Sequence, residues 1–211
     1  VRWYFVIILV SALTIAWNVR PLYATLGETL RHSFFQVGTI ITTTGFATTD
    51  FNMWPQLSKT ILLLLMMIGA CAGSTGGGMK VSRVRILFKA IRKELSMMIH
   101  PRMVKKIKMD GHNLSHETLR STNVYMTAYF IVLFVSLLIV SLDEYDLTTN
   151  FTAVLATLNN IGPGLELVGP TQNFALFSPL SKCVLMFDML AGRLELFPML
   201  VIMLPSCWKK Y

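Results

Sequence analysis

A polar loop punctuated by glycine occurs twice in this chain, each time between apolar segments, and that duplication narrows the folds open to it. The first loop is Ile40-Ile41-Thr42-Thr43-Thr44-Gly45-Phe46 and the second is Asn159-Asn160-Ile161-Gly162-Pro163. Gly45 and Gly162 lie 117 positions apart. Farther on, Leu57-Ser58-Lys59 recurs as Leu180-Ser181-Lys182, and Gly69 as Gly192, both at an offset of 123. The difference of six predicts an insertion after the second loop, within 164–173. A repeated order of apolar segment, short segment, polar loop and apolar segment is the strongest organisational signal in the sequence.

Composition sets the solvent. Hydrophobic residues make up 54% and charged residues 14%, with a mean hydropathy of +0.57, whereas a soluble domain carries about 25% charged residues. The chain reads as an all-α integral membrane protein. Residues 3–17, 57–72, 122–142 and 180–204 read as four transmembrane helices. Residues 27–41 and 150–158 are too short to span and read as re-entrant half-helices, allowed at membrane depth only where protein or water surrounds them. Two helix–pore-helix–helix units follow, 1–80 and 121–211, joined by a basic connection at 81–120. Val1 opens directly on an apolar run with no cleavage signal, so the chain reads as the later part of a longer protein. Cys71, Cys183 and Cys207 have no metal-ligand spacing and read as small buried residues.

The loops carry chemistry suited to a bare cation. Thr43, Thr44 and Gly45 offer close-set carbonyls, hydroxyls and a residue free to take unusual backbone angles. Such oxygens replace an ion's hydration shell in a pore. His32, at the entry to its half-helix, reads as a polar residue at the mouth rather than a proton site. Downstream, Gly73-Ser74-Thr75-Gly76-Gly77-Gly78 cannot hold a helix, since each glycine costs about 1 kcal/mol relative to Ala. It is expected to unwind beside a water-filled cavity. A phosphate loop is excluded by spacing, because Met79 separates Gly78 from Lys80 and Val81 follows.

Ten of the nineteen basic residues fall in 80–108, against Glu94 alone. The positive-inside rule makes this a cytoplasmic loop, puts the C-terminus on the same side and makes both polar loops accessible from outside. Anionic lipid or an acidic cytosolic partner suits it better than nucleic acid, because membrane spans flank it and Phe88 is the lone aromatic residue among its cations. His112 and His116 share a helix face but lack a third ligand, so no metal site is expected. Asp143, Glu144 and Asp146 are either an acidic mouth that concentrates cations or a solvated turn.

Together the Thr-Thr-Thr-Gly-Phe loop, the Asn-Asn-Ile-Gly-Pro-Gly loop, the glycine-rich break and Gly192-Arg193-Leu194-Glu195-Leu196-Phe197 resemble the Trk/Ktr/HKT superfamily of potassium transporters, closest to its bacterial TrkH type. The likeness covers nearly the whole chain. It implies a pore of four such units in one polypeptide, of which this chain matches the third and fourth, so the first half is missing or supplied by another chain. It implies K⁺ as the transported ion, contacted at Thr43, Thr44, Asn160 and Ile161, with Gly45 and Gly162 as filter glycines. It also implies an inner-membrane homodimer, a cytosolic nucleotide-binding regulatory subunit, and no organic cofactor on this chain. Channel-like flux and Na⁺- or H⁺-coupled symport both stay open.

The same residues suggest a gate. Ala70 and Arg193 occupy matching places 123 positions apart, both below the loops. A guanidinium there is costly unless it faces the bundle interior and finds acceptors. The carbonyls of 73–78, with the hydroxyls of Ser74 and Thr75, offer them; Glu195 and Asp188 lie off the Arg193 face. The alternative is that Arg193 snorkels to the cytoplasmic surface. Two other functional classes compete: a non-conducting accessory subunit, and a membrane-embedded enzyme using Asp188, Arg193 and Glu195. The enzyme lacks a nucleophile–base pair, so the expectation is that the chain is not an enzyme.

Overall fold

The structure, a computed structural model, describes residues 2–69, 71, 74, 76–100, 107–109, 112–193 and 196–202. Among the described residues the regular structure is helical apart from one two-stranded hairpin. The helices are α1 (Arg2–Val19), α2 (Leu26–Ile41), α3 (Gln56–Met67), α4 (Val81–Ile99), α5 (His116–Val140), α6 (Leu147–Leu158), α7 (Pro179–Arg193) and α8 (Leu196–Ile202). Strands β1 (Lys108–Met109) and β2 (His112–Asn113) pair antiparallel between α4 and α5.

Capping fixes where the two short inner helices start. Thr25 Oγ1 accepts from Glu28 N at 3.2 Å, so α2 begins just after a turn containing Pro21. Asp146 does the same for α6, accepting from Thr149 N at 3.0 Å. Each cap contributes about 1 kcal/mol. Helix α2 packs on α1 and α3, while α6 packs on α5 and α7. Every residue of α6 from Thr152 to Leu158 is buried. The Thr152 and Thr157 hydroxyls bond to carbonyls of their own helix.

The outward faces of α1 and α5 are apolar. Phe5, Leu9, Leu13, Ile131, Phe134 and Leu138 are all exposed. A continuous apolar surface of this kind suits lipid rather than water. Two stretches, Arg2–Leu22 and His116–Asp143, are long and apolar enough to cross a membrane.

Two expectations change. Helix α3 stops at Met67 rather than running to residue 72, so its 12 residues reach only about 18 Å of the roughly 30 Å hydrocarbon core. Beyond it the backbone doubles back: Met79 N donates to Met67 O at 3.3 Å. Tight packing requires glycine here, because a Cβ on Gly69 would overlap Gly77 O. Second, the basic stretch at 80–108 is no loop; 19 of its residues form α4, which is free of Gly and Pro. The last apolar stretch is described as α7 up to Arg193 and as α8 from Leu196. Leu194 and Glu195 lie outside the described residues.

Candidate functional site

The polar loops that end α2 and α6 have the same backbone. Thr42 and Asn159 cap the helices. Thr43 (φ 56) and Asn160 (φ 54) follow in the left-handed region, and Gly45 (φ 83) and Gly162 (φ 109) return to positive φ two residues later. The hydrogen bonds match as well. Thr43 N donates to Ile40 O and Asn160 N to Thr157 O, both at 3.0 Å. Thr44 N reaches Thr39 O at 2.8 Å, and Ile161 N reaches Ala156 O at 2.9 Å. A left-handed non-glycine residue is uncommon, and its recurrence 117 positions on shows that the two sequences solve one geometric problem.

The loops also touch. A Cβ on Gly45 would overlap Ile161 O and crowd Pro163 Cδ at 3.3 Å. Thr44 is exposed, Thr43 and Asn160 are half-buried, and Ile161 is buried. Thr42 Oγ1 lies 2.8 Å from Thr44 Oγ1, which leaves the backbone carbonyls of this turn free of its hydroxyls except at Gly38 O.

Asn159, which sequence reasoning passed over in favour of Asn160, is the hub beneath. It is fully buried. Its Oδ1 accepts from Tyr129 Oη at 3.0 Å, and its Nδ2 donates to Met66 O at 2.8 Å. The glycine-rich stretch packs directly on it. A Cβ on Gly77 would lie 2.7 Å from Asn159 O, and one on Gly78 2.5 Å from Asn159 Oδ1. Gly78 is also left-handed, at φ 78. Ser74 is exposed and its Oγ accepts from Gly76 N at 3.1 Å; Gly73 and Thr75 lie outside the described residues.

From the other side, α7 presses on the same loop base. A Cβ on Gly192 would overlap Leu158 O, and Asn160 Nδ2 donates to Met189 O at 3.0 Å. Arg193 follows at once, exposed, as the last residue of α7. The glycine stretch and the residue before Arg193 are therefore both in contact with the 158–160 turn, although they are more than a hundred residues apart in sequence.

Around the outer ends, His32 Nδ1 lies 2.9 Å from Thr48 Oγ1 and its ring stacks on Tyr23 at 5.1 Å. Two of the three acidic residues here have structural work. Asp143 Oδ2 accepts from Ser178 N at 2.9 Å. Asp146 caps α6; slight burial pushes its carboxyl up, but the hydrogen bonds from Thr149 outweigh this and hold it below the usual range. In α7, buried Asp188 accepts from Ser136 Oγ at 2.7 Å.

A cavity of about 720 Å³ lies beside the second loop, lined by Asn160, Ile161, Gly162, Lys182, Leu185 and Met189 among others. Across the basic segment, the Arg83 guanidinium lies 3.8 Å over the Tyr125 ring and that of Arg85 5.8 Å over Trp3.

Known proteins resemble this chain. The TrkH family, described as cation transport protein, matches residues 3–210. The Trk system potassium uptake protein TrkH of Salmonella typhimurium is 40% identical over 202 residues, covering 96% of this chain and 41% of that protein. The protein of the same name from Escherichia coli strain K12 is 39% identical over the same length. The crystal structure of the potassium transporter TrkH from Vibrio parahaemolyticus superposes with a TM-score of 0.86 at 35% identity, covering 99% of this chain and 44% of that one. The chain thus spans about two fifths of the length of the relatives it matches.

Proposed function

The chain belongs to the TrkH family of cation transport proteins, and from that premise we propose that it supplies two of the filter loops of an inner-membrane K⁺ pore. Its relatives are named for potassium uptake. The observation that carries the reading is the pair of touching loops with one backbone signature. Carbonyls at Thr43, Thr44, Asn160 and Ile161 take the place of water around K⁺. Helices α2 and α6 are the pore helices, and α1, α3, α5 and α7–α8 make up the four membrane-crossing elements. On this reading 1–80 and 121–211 are two repeats, joined by a basic cytoplasmic connection at 81–120. Reconstitution of the complete transporter in proteoliposomes tests the function: K⁺ uptake is expected, and its absence overturns the reading. An accessory subunit would leave flux unaltered by substitutions in either loop, and an enzyme would turn over a substrate without flux.

Two loops do not encircle an ion, and the structure suggests how the remainder docks. Around the first loop, Lys59 pairs with Glu166 at 3.1 Å, Met66 is 0% exposed and Gly45 abuts Ile161. Their counterparts, Lys182, Met189 and Gly162, border the open cavity beside the second loop. Met189 is 47% exposed, and a Cβ on Gly162 would meet nothing within 4 Å. A further unit of the same kind fits that face, bringing a third loop and a carboxylate for Lys182. Lys182→Glu should then weaken recovery of this region with the rest of the transporter, when the two are co-expressed as separate chains, by roughly tenfold. Unchanged recovery removes this docking mode.

Helix α4 is proposed to face the cytoplasm and meet lipid headgroups and a cytosolic nucleotide-binding regulatory subunit. The structure refines which cations do so. Arg83 and Arg85 lie on aromatic rings of α5 and α1, so their substitution costs stability, by about 0.5–2 kcal/mol each. Arg92 is exposed and Lys93 half-buried. The double change Arg92→Gln, Lys93→Gln is expected to weaken binding of the regulatory subunit and flatten its salt dependence, with ion selectivity unaltered. Binding that is equally tight at low and high salt in the double variant would sink this role.

A further inference from the structure

The insertion after the second loop has a structural task that the pore reading does not use. It is anchored in its own repeat: Leu165 N donates to Thr152 Oγ1 at 3.0 Å, Gly164 N to Val168 O at 2.7 Å, and Leu165 and Val168 are buried. Its tip crosses to the other repeat. Asn52 grips the backbone of Glu166 from both sides, accepting from Glu166 N at 2.9 Å and donating to Glu166 O at 3.0 Å. The Glu166 carboxylate meets Lys59 Nζ at 3.1 Å. Gly169 leaves room for this grip, since a Cβ there would overlap Asn52 Nδ2. Glu166 itself is left-handed, at φ 53, a backbone that a non-glycine residue keeps only when its surroundings enforce it.

The grip sits where it governs the loops. Asn52 is seven residues beyond Gly45, and Glu166 four beyond Gly162. A side-chain amide carries both a donor and an acceptor, so Asn52 alone satisfies both groups of one backbone unit. Lys59 is the counterpart of Lys182, which lines the cavity with Asn160, Ile161 and Gly162. On the filter reading, Lys59 holds the matching place beside the ion entrance, where an uncompensated ammonium would lower the local cation concentration.

We propose that Asn52 and Glu166 are positioning residues: the insertion is a strut that fixes the spacing of the two filter loops at their outer ends, and its carboxylate cancels the Lys59 charge at the entrance. This rests on the filter assignment of Gly45 and Gly162. In the complete transporter in proteoliposomes, Asn52→Ala is expected to lower K⁺/Na⁺ discrimination by roughly three- to tenfold, the effect of losing two hydrogen bonds. Glu166→Gln keeps both backbone bonds, so discrimination should hold while the half-saturating external K⁺ rises about twofold or more. Adding Lys59→Gln to Glu166→Gln should restore it. Should Asn52→Ala fail to reach the membrane, the Lys59 and Glu166 variants decide alone. Gly45→Ser is the control. If it alters selectivity while Asn52→Ala and Glu166→Gln change nothing, the strut is wrong and the filter stands. If Gly45→Ser is also silent, the filter assignment falls and the strut with it.

Discussion

Gly45→Ser is expected to collapse K⁺/Na⁺ discrimination, and to do so more severely than Gly162→Ser. Two costs add at Gly45. Its φ of 83 is strained for any L side chain, by about 1–2 kcal/mol. Its Cβ would also land on the Ile161 carbonyl, one of the oxygens proposed to contact the ion. That carbonyl must rotate or the loops must part, and either change spoils the spacing that favours K⁺. At Gly162 the backbone strain is similar, with φ 109, but the chain places nothing within 4 Å of a new Cβ. A further 1.4 kcal/mol or so at Gly45 is about tenfold in any ratio it controls. Competition between Na⁺ and K⁺ uptake in proteoliposomes measures both variants. Equal K⁺/Na⁺ ratios in Gly45→Ser and the unmodified protein would overturn the filter assignment.

Local signals made most helix ends legible. The apolar runs of α1 and α5 are written in short stretches, and both helices begin and end within a few residues of them, α5 excepted at its start. What escaped notice depends on residues far apart in sequence. Helix α3 stops at Met67 because Met79 bonds back to it and Gly77 fills the space over Gly69, which no local propensity encodes. The helical character of α4 was hidden by its charge count, although its Phe88, Ile91 and Leu95 lie at helical spacing. Of two adjacent asparagines, sequence alone cannot say which turns inward. The partners of Asn159, namely Tyr129, Met66, Gly77 and Gly78, come from two other helices and a loop. The stacking of Arg83 and Arg85 on Tyr125 and Trp3 is equally non-local, and it draws two cations of the basic stretch into the protein's own packing.

Arg193→Ala is expected to raise K⁺ flux in the absence of the regulatory subunit, and the structure separates this variant from changes in the glycine stretch. A guanidinium on the ion path opposes K⁺ by about 4 kcal/mol at 4 Å with an effective dielectric of 20, less whatever its own partners cancel. Helix α7 holds it near the loop base, because Gly192 abuts Leu158 O and Asn160 is bonded to Met189 O. Truncating the Arg193 side chain leaves the Gly192 and Met189 contacts in place, so flux should rise roughly tenfold or more with K⁺/Na⁺ discrimination intact. Removal of residues 76–78 is different. Gly77 and Gly78 lie against Asn159, whose amide also ties Tyr129 to Met66 O. Pulling them out opens the path and loosens the base of the second loop together, so flux should rise and discrimination should fall. Gly78→Ala is the milder form of the same change. Its Cβ would stand 2.5 Å from Asn159 Oδ1 at a φ of 78, so the loop must shift, and an intermediate gain in flux is expected. Proteoliposome flux without the subunit, read alongside the K⁺/Na⁺ ratio, distinguishes the cases. If Arg193→Ala and the 76–78 deletion both leave flux at the unmodified level, the arginine is no gate and the glycines serve only to let the chain pack against Asn159.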